Sequence, residues 1–236
     1  MAPGRRLYAI GDIHGRADLL GALLGQIEAD ARAHAMPGVQ PTLVFLGDYV
    51  DCGLDARRCV EILIALAGGP FEAHFLKGRR DDLLLQFLEH PSAGARWLRK
   101  GGAETLFSYG VRVPAEHDGQ ALAGAAAALR AAMPATHLAF FRNLQLHVRF
   151  GDYVFVHAGL KPGVALEDQA ERDLLGIREP FLSSRERWPF VVVHGHTPVE
   201  RLYRDGRRIA VDTGAYVTGR LTAVCLDGEA VRTLST

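Results

Sequence analysis

Asp12 and His14 stand one residue apart in Ala9-Ile10-Gly11-Asp12-Ile13-His14-Gly15, directly after a short apolar run. A carboxylate and an imidazole at that spacing, on a turn rather than within a strand, can chelate one ion. A lone Asp-x-His is more often a solvated turn. Here the design recurs, with Asp48 in Gly47-Asp48-Tyr49-Val50-Asp51, His157 in Val156-His157-Ala158-Gly159 and His196 in Gly195-His196-Thr197. Each follows an apolar run, and most are flanked by glycine, which lets backbone approach an ion or a phosphate closely. Mixed oxygen and imidazole donors suit manganese, with iron, zinc or nickel as alternatives, better than calcium. A carboxylate such as Asp48 can bridge two ions about 3.5–4 Å apart, an arrangement suited to in-line phosphoryl chemistry.

Positioning such residues requires strands that end together. Residues 7–10, 42–46 and 73–76 read as buried strands. Each runs into a polar loop and then into a helix, at 18–34, 55–67 and 82–89, with leucines three and four apart. Three strand–loop–helix units imply parallel strands whose C-terminal ends share one rim. Residues 91–143 read as a helical insert or cap, including an Ala-rich helix at 121–132. Further strands are expected at 144–150, 153–156, 190–193, 209–212 and 221–226, the first two joined by a Gly151-Asp152 turn. With no linker or repeat, 236 residues read as one domain with that insert.

Composition narrows the classes. Hydrophobic residues make up 48% of the chain, enough for a sizeable core. Lys+Arg and Asp+Glu each number 27, so charge balance does not point to nucleic acid or an anionic membrane surface. Three cysteines without a Cys-x-x-Cys pair fit a reducing compartment. The first six residues lack the apolar core of a signal peptide, and no apolar run is long enough for a bilayer. The expectation is a cytoplasmic protein.

Taken together, Gly11-Asp12-Ile13-His14-Gly15, Gly47-Asp48-Tyr49-Val50-Asp51, Val156-His157-Ala158-Gly159-Leu160 and His194-Gly195-His196-Thr197-Pro198 resemble the phosphoprotein phosphatase branch of the calcineurin-like metallophosphoesterases. The compact bacterial members, serine/threonine phosphatases and relatives of the symmetrical dinucleoside tetraphosphatases, are the most similar. The resemblance runs almost to the end, through Asp212-Thr213-Gly214-Ala215. It implies an α/β/β/α sandwich of two mixed sheets. It implies Asp12, His14 and Asp48 at a first metal, and Asp48, His157 and His196 at a second. It implies hydrolysis of a phosphorylated substrate, whether phosphoprotein, nucleotide or small phosphoester, by a metal-activated water.

Three departures from the family strike the chemistry, and a fourth puts Gly176 where such proteins often carry Trp. Cys52 stands where a phosphate-gripping Arg belongs, and Gly78-Arg79-Arg80-Asp81 replaces Gly-Asn-His-Glu. The family Asn binds the second metal, and the family His is a general acid oriented by the residue matching Asp51. Neither Arg79 as a ligand nor Arg80 as an acid can substitute, because guanidinium keeps its proton. Arg80 is expected beside Asp51 as an ion pair. Arg79 is expected at the second metal, binding phosphate bidentately and repelling a cation. At 4 Å a unit pair is worth about 4 kcal/mol at an effective dielectric of 20. The second metal should therefore be weak or absent and activity reduced. The alternative is a pseudophosphatase that binds phosphorylated groups or a partner protein without turnover.

Other residues have plainer expectations. Arg178 either reaches substrate phosphate or pairs with Glu179 or Glu171. His194 reads as core, Cys52 as a passive small residue, and Asp212 as a turn without a direct role. His74, His117, His137 and His147 read as surface or packing residues. Basic residues opening a helix oppose its dipole, so Arg79 and Arg80 require compensation from Asp51, Asp81 or a bound anion.

Overall fold

A computed structural model describes residues 4–236; the first three residues of the segment read for a signal peptide lie outside the described residues. Strand β1 (Arg5–Ile10) leads to helix α1 (Ala17–Ala33), β2 (Gln40–Phe45) to α2 (Ala56–Ala65), and β3 (Glu72–Phe75) to α3 (Arg79–Glu89). Helices α4 (Gly94–Trp97), α5 (Ala103–Ser108), α6 (Gly119–Ala132) and α7 (Ala135–Arg142) follow. Then come β4 (His147–Phe150), β5 (Tyr153–Val156), α8 (Glu171–Gly176), β6 (Val191–His194), β7 (Tyr203–Arg204) and β8 (Arg208–Ala210). The chain closes with α9 (Ala215–Thr218), β9 (Thr222–Asp227) and β10 (Ala230–Ser235).

The strands form two five-stranded mixed sheets, ordered β10-β9-β1-β2-β3 and β4-β5-β6-β8-β7. In the first, β1, β2 and β3 are parallel and β9 and β10 antiparallel. In the second, β5, β6 and β8 are parallel and the two edge strands antiparallel. The period of two along each strand sorts its side chains between layers. Leu7, Ala9, Val44, Leu46, Val224 and Leu226 meet Phe155, Val193 and Ile209 between the sheets. Tyr8, Ile10, Leu43 and Phe45 face outward, beneath α1, α2, α3 and the helices that follow. Val154, Val156 and Val192 face the opposite way, against Leu174, Phe181 and Phe190.

This is the expected α/β/β/α order, with one asymmetry. The layer over the second sheet is α8 and irregular chain rather than a row of long helices. Two strands, β7 and β10, were not anticipated; β7 is only two residues, and β10 mixes exposed and half-buried residues without a period of two. Among the described residues no helix is long and apolar enough to cross a membrane.

Candidate metal centre

Six parallel strands, β1, β2 and β3 in one sheet and β5, β6 and β8 in the other, discharge their C-terminal ends onto one rim. The loops that leave them are stitched together by backbone. Ile13 and His14 N–H donate to the Asp48 carbonyl at 3.2 and 2.9 Å, and Gly15 N–H to Tyr49 at 3.0 Å. Within the second sheet's rim, Gly195 N–H donates to the His157 carbonyl at 2.8 Å, and the link to the first sheet is made by the next residue. His196 N–H reaches the Asp12 carboxylate at 3.0 Å.

The result is two overlapping triads. Asp12, His14 and Asp48 each offer a ligand atom within 4.8 Å of the others, and so do Asp48, His157 and His196. Asp48 belongs to both, and its oxygens face different rings. Oδ1 lies 3.4 Å from His157 Nε2, and Oδ2 lies 3.6 Å from His14 Nε2. The far nitrogens hold the rings in place. His157 Nδ1 lies 2.8 Å from the Leu46 carbonyl, and His14 Nδ1 lies 3.2 Å from the Val50 carbonyl. Because a carbonyl only accepts, both Nδ1 atoms carry the proton, and both Nε2 lone pairs face the pit.

The backbone is strained at these ligands. His14, Asp48 and His196 have φ of 48°, 53° and 61°, in the left-handed region that non-glycine residues rarely occupy. Asp51 and Cys52 follow at 70° and 67°. Such strain gathers where function requires it. Glycine keeps the neighbouring loops close: a Cβ on Gly195 would sit 2.0 Å from Asp12 Oδ1, and one on Gly78 would sit 2.0 Å from the Asp48 nitrogen.

The donor set fits a divalent cation. Asp12 Oδ1 and His157 Nε2 are buried without a hydrogen-bond partner, a costly state that a cation would resolve. Burial and the neighbouring Asp212 and Asp48 charges push the Asp12 carboxyl up. Burial lowers His14 and takes His196 down to about 3, so both rings are neutral, as metal ligands must be.

A cavity of about 440 Å³ opens over the pit. Arg79, Arg80 and Arg178 line it, together with His14, Asp48 and His196. Arg178 donates to the His196 carbonyl at 3.3 Å, while Glu171 pairs with Lys77 at 2.8 Å. The helix carrying the arginines is compensated by buried Asp81, which accepts N–H bonds from Asp48, Tyr49 and Gly78 at 2.9–3.0 Å. The Arg80 N–H also points at Asp48 Oδ1, 2.7 Å away.

The anticipated Arg80–Asp51 pair is looser than expected, at 4.0 Å. The Arg80 guanidinium instead donates to the Lys100 carbonyl at 2.7 Å. The reason is that Asp51 is already served: Thr105 Oγ1 donates at 2.7 Å and Trp97 Nε1 at 2.9 Å. Asp51 is fully buried and does not line the cavity. Asp212, expected to have no direct role, is on the cavity wall. So is Tyr216, whose ring meets His14 edge-on at 5.0 Å. His194 is buried away from the pit, against Arg208 at 3.1 Å. Burial pushes the Cys52 thiol up to about 11, consistent with a passive residue. His137 is a buried packing residue bonded to Tyr109 at 2.9 Å. Sequence reasoning passed over Thr105 and Tyr216, because no motif marks a hydroxyl or a ring whose partner is distant in the chain.

Known proteins share this organisation. Serine/threonine-protein phosphatase 1 of Salmonella typhimurium is 27% identical over 231 residues, covering 92% of this chain and 90% of its own. The crystal structure of a candidate diadenosine tetraphosphatase superposes with a TM-score of 0.70 at 22% identity, covering 99% of this chain and 94% of that one. A Saccharomyces cerevisiae serine/threonine phosphatase has the same fold at a TM-score of 0.54 and 16% identity, covering 99% of this chain and 80% of its own. The profile of the calcineurin-like phosphoesterases matches residues 5–225, and the chain belongs to that family.

Proposed function

We propose that the protein is a metal-dependent phosphoesterase of the phosphoprotein phosphatase type, acting on phosphate esters or anhydrides. The observation that carries this reading is the carboxylate of Asp48 shared between two triads of imidazoles and buried acids. In this reading Asp12, His14 and Asp48 hold the first ion, manganese by preference. Asp48, His157 and His196 hold a weaker second one. A bound divalent cation supplies Lewis acidity toward phosphoryl oxygens and lowers the pKa of water.

The remaining work falls to side chains. Arg79 and Arg178 line the cavity and grip the equatorial phosphate oxygens through charge-assisted hydrogen bonds. Arg80 keeps its proton and braces the Lys100 turn. Asp51, held by Thr105 and Trp97, fixes the strained loop after Asp48. The segment 91–143 caps the opening. With no protonatable group at Arg80, good leaving groups such as aryl phosphates and anhydrides are favoured. Loss of a general acid alone costs about 10²–10⁴-fold.

Two measurements on wild type and Asp48→Asn test this: metal content by mass spectrometry and hydrolysis of p-nitrophenyl phosphate. The expected result is bound divalent metal and slow turnover, both lost in the variant. Phosphate binding without turnover in metal-loaded wild type would overturn it in favour of a pseudophosphatase.

A further inference from the structure

The cavity is far more cationic than one phosphate requires. Arg79, Arg80, Arg96, Lys100 and Arg178 line it, against the carboxylates of Asp48 and Asp212 on its floor. The excess lies on one wall. From α3 and the segment after it come Arg80, Gln86, Ala93, Arg96, Trp97 and Lys100, with no carboxylate among them. Some cations outside the cavity are paired, Arg5 with Glu72, Arg6 with Asp227, Arg57 with Glu61 and Lys77 with Glu171. Arg96 and Lys100 are exposed and have no acidic partner among the described residues. In a chain of zero net charge, this local surplus is a matter of placement.

We infer that Arg96 and Lys100 form a second anion subsite, which takes the distal phosphates of a condensed phosphate chain whose terminal group lies at Arg79 and Arg178. The inference rests on the phosphoesterase reading above and names its substrate class. Three features support it. Arg80 bonds the Lys100 carbonyl at 2.7 Å, which ties the Lys100 turn to the rim, and the cations of rim and turn line one cavity. The Lys100 turn is held in place: Gly101 has φ 111°, and its carbonyl accepts the Cys52 N–H at 3.1 Å. The pattern of charge also discriminates between substrates. A phosphopeptide presents one phosphate on a neutral backbone; it matches the Arg79–Arg178 end and leaves Arg96 and Lys100 uncompensated. A phosphoanhydride carries charge on every successive phosphorus and matches the whole set.

Titration calorimetry on chelator-treated protein tests the subsite directly, because it is built from side chains. Inorganic tripolyphosphate is expected to bind at least tenfold more tightly than inorganic phosphate. That preference should shrink as salt rises. It should collapse toward one in Arg96→Ala/Lys100→Ala and return in Arg96→Lys/Lys100→Arg. Arg79→Ala should weaken both ligands. A wild-type ratio near one, or a ratio unchanged in the double Ala variant, overturns the inference. So does an acidic phosphopeptide whose binding depends on Arg96 and Lys100 when that of tripolyphosphate does not. Failure of the phosphoesterase reading shows separately, as absence of p-nitrophenyl phosphate turnover with added metal.

Discussion

Trp97 donates its indole N–H to both carboxylate oxygens of Asp51, at 2.9 and 3.2 Å. Thr105 adds a third bond at 2.7 Å and accepts the Asp51 N–H at 3.0 Å. Two residues of the helical segment thereby clamp the loop that carries Asp48. The same indole packs on Phe87 at 4.6 Å, tying the clamp to α3. Asp51 thus anchors this loop in addition to facing Arg80 at 4.0 Å.

Trp97→Phe keeps most of the ring and removes the donor. It should cost about 1–3 kcal/mol, the penalty for leaving a buried acceptor short of a partner. Trp97→Ala should cost more, about 3–5 kcal/mol, because it also opens a cavity beside Phe87. Urea unfolding of the two variants separates the terms. Equal losses would mean that the ring's packing contributes nothing, and no loss in Trp97→Phe would mean the same of the hydrogen bond.

Asp51 should also leave a signature in pH. Burial raises its carboxyl to about 7, although Thr105, Arg80 and Trp97 pull it down. The unfolded value lies near 3.8, so the folded state binds the extra proton. Stability contributed by protonated Asp51 is complete below about pH 4 and is lost as pH rises through about 7. A shift of this size corresponds to about 4 kcal/mol. Asp51→Asn cannot titrate, so the difference in Tm between wild type and variant should change across pH 4–7 and level off above it. A constant difference would refute the raised carboxyl.

Gly195 offers a way to disable one triad without unfolding the chain. An added Cβ meets only the end of the Asp12 side chain, at 2.0 Å from Oδ1, and Gly195 has no left-handed φ. Gly195→Ala should rotate Asp12 away, weaken the first ion at least tenfold and cost little stability. At Gly78 the collision is with Asp48 backbone at 2.0 Å, which cannot rotate aside. Gly78→Ala should therefore lower Tm strongly. Metal titration and thermal melts of the two variants should show opposite patterns.

Most of the rim was readable because its parts are local. An apolar run ending in Gly-Asp or in Gly-His announces both the strand and the candidate ligand at its end, as at Asp12, Asp48 and His196. The parallel units β1–α1 and β2–α2 followed from leucine spacing. What stayed hidden depends on contacts across the chain. The bond from Trp97 to Asp51 is one of these, since nothing near either residue in sequence names the other as its partner. Arg80 read as the partner of Asp51, because adjacency in a motif carries no information about competition from Thr105. Helix α3 begins at Arg79 rather than at residue 82, because Asp81 caps the Asp48 loop and the Arg80 N–H reaches Asp48. Strand β10 escaped notice since its pattern makes sense only beside β9.

The three departures from the family pattern can be reversed one at a time. Arg79 lines the cavity, and its charge helps to hold His196 neutral, so it acts on the second triad. Arg79→Asn removes that charge and introduces a neutral oxygen donor. The second ion should bind at least tenfold more tightly, and calorimetric stoichiometry should move from one ion toward two. Arg80→His then adds a group that can protonate a leaving oxygen, and Cys52→Arg restores a cation for phosphate. Turnover of p-nitrophenyl phosphate in the triple variant should rise by about 10²–10⁴-fold, the usual contribution of a positioned general acid. Most of the gain should appear with Arg80→His, and the gain should be larger for poor leaving groups than for aryl phosphates. If two ions bind fully to wild type, Arg79 is not repelling the second one. If the triple variant gains nothing while both ions are bound, the clamp of Trp97 and Thr105 on Asp51 has removed the partner that a new histidine needs.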